Sequence, residues 1–153
     1  MPIHSIQWKA FSSSLDDEEL IADAMAWLCN DKDSVVIEKT TSFHGPDIHI
    51  ISVDISKRGL ARKALAHLGE VALQQLLDES HERIDEENCI HFRLSISDLV
   101  CGRIVFTSAG EYRTIKGKVK LQIYPNDVVE EVAQRLLGEA IERAQRMDWP
   151  TTP

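Results

Sequence analysis

The chain has 153 residues, 43% of them apolar, and a formal net charge of -8. That length suits one domain with a core of its own, and no apolar run approaches the roughly 20 residues of a membrane span. The acidic balance excludes a surface that attracts nucleic acid all over, because phosphate binding is driven by Lys and Arg.

The opening "IHSIQWKAF" alternates Ile6, Trp8 and Ala10 with Ser5, Gln7 and Lys9, the period of a half-buried strand. It follows a start without a basic segment and apolar run, so no signal peptide is expected and the cytoplasm is the default location. "SSSLDDEELIADAMAWLC" then reads as a helix, with Ser14 as N-cap, acids in the first turns, and Leu20, Ile21, Ala24, Trp27 and Leu28 on one face. "SVVIEKTTSF" and "DIHIISVDIS" are β-branched segments split by Gly45-Pro46, a hairpin pattern in which His49 shares a face with Ile51, Val53 and Ile55.

Residues 57–83 carry two leucine stripes separated by Gly69, which predicts two helices or one broken there. "NCIHFRLSI" is a strand with Ile90, Phe92 and Leu94 on one side and His91 and Arg93 on the other. "SDLVCG" is a short helical turn ending at Gly102. "RIVFT" and "YRTIKGKVKLQIY" are expected to pair around "SAGE". A last amphipathic helix starts at Asn126 as N-cap, with Val128, Val129, Val132, Leu136, Leu137 and Ile141 along one face. The order β-α-β-β-α(α)-β-β-β-α predicts an α+β two-layer sandwich, with helices packed on one face of an antiparallel sheet. Residues 1–147 form the single expected domain and 148–153 a loose tail.

Dedicated chemistry is scarce. The three cysteines, Cys29, Cys89 and Cys101, are far apart and are expected to be buried and reduced, not a disulfide framework or zinc ribbon. No metal motif, phosphate loop, dinucleotide fingerprint or nucleophile elbow occurs, so neither a metal, a cofactor nor an enzymatic activity is expected. The informative pattern is "IKGKVKLQI". Lys116, Lys118 and Lys120 are two apart, which on a strand puts three ammonium groups on one face. Were the strand of His91 and Arg93 its neighbour, a basic stripe would cross the sheet and suit a phosphate backbone. The competing reading is an edge strand guarded by lysines. Arg58 and Arg62 share one side of the middle helix and are the second choice for phosphate contact; His44, at the hairpin tip, is a possible partner contact.

Three ordered motifs, "IHSI", "FHGPDIHII" and "ERIDEENCIHFRLSISDLVCGRI", followed by Tyr124-Pro125, resemble an archaeal family of predicted RNA-binding proteins or predicted exosome subunits, over roughly residues 3–137. The resemblance implies the fold of the large-subunit ribosomal protein that binds 5S RNA. It also implies a non-catalytic RNA-binding or RNA-processing role beside the exosome. Arg83, Asp85 and Gly102 match the family pattern, but Leu94-Ser95-Ile96-Ser97 stands where relatives carry Leu-Asp-Lys-Gln, so the family's lysine and glutamine are missing here, and with them any RNA contact that those groups make in relatives. The competing class is a protein–protein adaptor or homodimer without RNA contact.

Overall fold

Alternation along the first strand sorts the whole molecule into two layers. In the computed structural model, which describes residues 3–13, 18–29, 35–40, 48–107 and 114–147, β1 (Ile3–Ser13) buries Ile6, Trp8 and Ala10 and turns Gln7, Lys9 and Phe11 outward. It is followed by α1 (Glu18–Cys29), β2 (Val35–Thr40), β3 (Ile48–Ile55), α2 (Arg58–Ala66), α3 (Glu70–Asp78), α4 (Ser80–Arg83), β4 (Cys89–Ser95), α5 (Ile96–Leu99), β5 (Thr114–Leu121) and α6 (Val129–Met147). The five strands form one antiparallel sheet in the order β2-β3-β1-β5-β4. The α+β class and the antiparallel sheet are as expected.

β1 runs parallel to β2 with β3 between them, so β1-α1-β2 is a split β-α-β unit, and β3 runs parallel to β5 with β1 between them. The buried side of the sheet meets Ile21, Met25 and Leu28 of α1, Ala61, Ala64 and Leu65 of α2, Leu73 and Leu76 of α3, and Val132, Leu136, Leu137 and Ala140 of α6 in one apolar cluster. Gly69 adopts φ 90° between α2 and α3, a conformation open to glycine, and this is the predicted break.

Three local expectations are corrected. First, Arg103–Thr107 is not a strand paired with β5. Both sides of β5 are occupied, by β1 and β4, so this stretch instead lies along the outer side of β4, where Ser95 N donates to Val105 O and Thr107 N to Arg93 O, each at 2.9 Å. Second, Asn126 does not cap the last helix. Its φ is 74°, and the neighbouring Asp127 closes the turn, accepting from Tyr124 N at 2.8 Å, before the helix begins at Val129. Val128 consequently misses the apolar face and stays exposed. Third, Cys29 and Cys89 are buried, but Cys101 is exposed. Ser14, the hairpin tip with His44, and residues 148–153 lie outside the described residues. No helix among the described residues is long and apolar enough to cross a membrane.

Candidate nucleic-acid interface

The side of the sheet that carries no helix among the described residues is where the chemistry collects. Lys116, Lys118 and Lys120 alternate with the buried Ile115, Gly117, Val119 and Leu121 on β5, while His91 and Arg93 alternate with Ile90, Phe92 and Leu94 on β4. β4 and β5 are neighbours, so the two sets do share a face. Since β5 also pairs with β1, it is an inner strand, and the edge-strand reading of its lysines does not hold.

The register arranges these groups in rows across the strands. Arg93 faces Lys116, and Lys116 faces Lys9, placing three cations abreast. The next row runs His91, Lys118, Gln7, Asp54. Like charges directly opposite one another on adjacent strands are destabilising, and among the described residues no carboxylate lies within ion-pair distance of Lys9, Arg93 or Lys116. Lys116 makes a favourable contact, with its Nζ 5.9 Å from the ring centre of Phe11. Phe11 is 50% exposed on the same face. Lys9 and Phe11 were missed as site residues in the sequence. Their alternation was visible, but their membership of the cationic row depends on β1 lying beside β5.

The opposite, buried side of β5 is shaped by one glycine. Gly117 stands between Trp8 and Phe92 in register. On the buried side, those two rings meet edge to face over it, with centroids 5.1 Å apart and planes at 79°. Phe92 packs in the same manner on Phe106, at 5.8 Å and 88°. Two aromatic side chains thus close the space that a side chain at 117 would take.

The "ERIDEENCIHF" segment positions His91. Asp85 Oδ1 accepts from Glu87 N and Cys89 N, both at 2.9 Å, and Oδ2 accepts from the His91 ring N–H. Partial burial opposes the Asp85 charge, but the hydrogen bonds from His91, Cys89 and Glu87 outweigh it and hold the carboxyl below its ordinary pKa. Arg83 gives Nε and Nη2 to Glu79 Oε2, at 3.0 and 2.8 Å, and lies 5.4 Å from the Phe106 ring centre, bracing the outer side of β4. Burial also raises the pKa of the Cys89 thiol, helped by the Asp85 charge, which disfavours the thiolate form.

A group whose folded pKa is depressed adds stability that is complete above its unfolded value, about 3.9 for Asp, and is lost as pH falls through the folded value. Asp85→Asn is therefore expected to lower the urea midpoint at neutral pH, with the deficit shrinking in acid. Equal deficits at both pH values would remove the charge from this account.

The middle-helix arginines do not join the lysine face. Arg58 reaches past the end of β5, with Nη2 donating to Gln122 Oε1 at 3.3 Å, and Arg62 is half-buried on α2, in the helical layer. No group of His, Cys, Asp and Glu among the described residues is arranged to hold a metal ion.

The fold has known counterparts. The chain is similar to a DUF54 protein from Methanothermobacter thermautotrophicus, at 20% identity and a TM-score of 0.69 over 92% of this chain and 99% of that one. It is similar to a DUF54 protein from Archaeglobus fulgidus at 23% identity and 0.70, over 90% and 99% of the two chains. A UPF0201 protein from Methanococcus jannaschii matches at 12% identity and 0.54, over 87% and 98%. No curated protein sequence matches. The family model described as RNA binding matches residues 5–121, a span that runs through all five strands and takes in Lys9, Arg93 and Lys116. The chain belongs to that RNA-binding family.

Proposed function

We propose that the open face of the sheet binds single-stranded RNA without catalysis. The row Arg93–Lys116–Lys9 is the observation that carries this reading. Three in-register cations, without carboxylate partners among the described residues, repel one another in the free protein, on a chain whose net charge is -8, and a phosphate backbone relieves that repulsion. Lys118 and Lys120 extend the cationic surface along the strands, with the His91 ring beside them. Successive lysines on β5 are about 7 Å apart, two residues of strand rise, which suits successive phosphates of an extended chain. Phe11 offers one exposed ring for base stacking. Single strands fit this combination better than a duplex, whose bases are already stacked.

Membership of the RNA-binding family supports the ligand class. A role as an accessory of RNA processing beside the exosome, and kinship with the ribosomal protein that binds 5S RNA, are proposals resting on the motif resemblance. Arg58, at the rim of the sheet, is a secondary contact for RNA leaving the face, and Arg62 follows it with less access; His44 remains a proposed partner contact.

Filter binding of short single-stranded RNA over a salt series tests the reading. Four phosphate contacts, from Lys9, Arg93, Lys116 and Lys118, predict a slope of log K against log salt of about -3. Absent binding, or binding indifferent to salt, overturns it. A protein partner that stays bound after nuclease treatment would favour the adaptor role instead.

A further inference from the structure

We propose that the centre of the open face is a guanine-reading site, an inference that rests on the RNA reading above and adds base specificity to it. Its starting point is a negative charge in the path of a polyanion. Asp54 is exposed on β3, opposite Gln7 of β1, whose other neighbour is Lys118. Gln7 Nε2 donates to Asp54 Oδ2 at 3.1 Å, which orients the carboxylate. Both residues line a recess of about 380 Å³ together with Lys9, Ser52, Lys116 and Lys118. That volume lies in the lower part of the range of small-ligand sites and holds one nucleoside.

An ionised carboxylate only accepts hydrogen bonds. Beside bound phosphates it costs affinity unless donors face it, and RNA carries suitable donors on its bases. Guanine presents a ring N–H and an amino N–H side by side on its Watson–Crick edge, matching the two oxygens of Asp54. Uracil flanks its single N–H with carbonyl oxygens. Adenine and cytosine set an unprotonated ring nitrogen beside the amino group, so each of these bases points a lone pair at the carboxylate. Lys9, Lys116 and Lys118 hold the flanking phosphates, and the Phe11 ring takes the neighbouring base, so the recess receives one splayed base from an extended strand.

Fluorescence anisotropy on a short oligouridine, and on the same oligonucleotide with one central guanosine, tests this. The wild-type protein is expected to bind the guanosine-containing strand about tenfold more tightly, within the range for one bidentate base contact. Asp54→Asn keeps the size of the side chain and removes its charge. It is expected to bind oligouridine more tightly than wild type does and to reduce the guanosine preference to about twofold or less. Equal binding of the two strands by wild type, or a preference that survives in Asp54→Asn, overturns the base site and leaves the RNA surface standing. Failure of both strands to bind overturns the RNA reading and this inference with it.

Discussion

Replacing Lys9, Arg93 and Lys116 together by glutamine is expected to weaken single-stranded RNA binding about 100-fold at about 0.1 M salt, because each counterion-releasing contact with a slope near -0.7 contributes about fivefold there. The same substitutions should make the salt slope shallower by about 2. Folding should respond in the opposite sense. The three side chains face one another across β1, β5 and β4, without carboxylate partners among the described residues, so their neutralisation removes like-charge repulsion. The unfolding midpoint is expected to stay level or rise. This opposition separates a binding surface from a structural one: a variant that lost binding only by losing its fold would show a lower midpoint. Filter binding and urea denaturation on the same preparation provide both readings. Unchanged affinity would show that the row is not the RNA site.

The second large effect is expected at Gly117. A Cβ there would stand 2.6 Å from Phe92 Cζ and 2.8 Å from Trp8 Cζ3, closer than real Cβ contacts come. Ring ends can swing aside where there is room, but Phe92 is wedged between Trp8 and Phe106, and Trp8 is fully buried. Gly117→Ala is therefore expected to cost about 1–3 kcal/mol through overpacking, lowering Tm by roughly 2–4 °C for each kcal/mol in a chain of this size. Gly117→Val should cost more. Phe92→Leu in the Gly117→Ala background should recover part of the loss, because it shortens the obstructing side chain, whereas alone it should destabilise. A double-mutant cycle by thermal melting reads this coupling. Additive costs would show that the two positions do not compete for one space.

The same glycine shows how far the sequence could be read. "IKGKVKLQI" displays the alternation of a strand, and the lysine spacing puts three charges on one face. Nothing local says why a glycine, a weak strand former, interrupts the buried face. The reason lies in Trp8 and Phe92, on strands that are distant in sequence and adjacent in space. The site divides in the same manner. Lys116, Lys118, Lys120, Arg93 and His91 were legible as two striped strands. Lys9, Phe11, Gln7 and Asp54 were legible as outward positions, but not as members of the same surface.

The local errors have similar causes. "RIVFT" has strand composition, yet it gains only a strip of pairing on the outer side of β4, since β5 is taken on both sides. Asn126 is a good cap residue by type, and its left-handed backbone uses another property of asparagine.

By itself, the sequence determined which residues alternate, that the middle helical stretch breaks at Gly69, and that the chain folds as α+β, because periodicity and turn chemistry are local. Only the tertiary structure decided the strand order β2-β3-β1-β5-β4. That order depends on which buried faces fit together between strands distant in sequence. It turns separate stripes into one cationic row, sets the Asp54 carboxylate at the end of the neighbouring row, and makes Gly117 the point where two aromatic rings can meet.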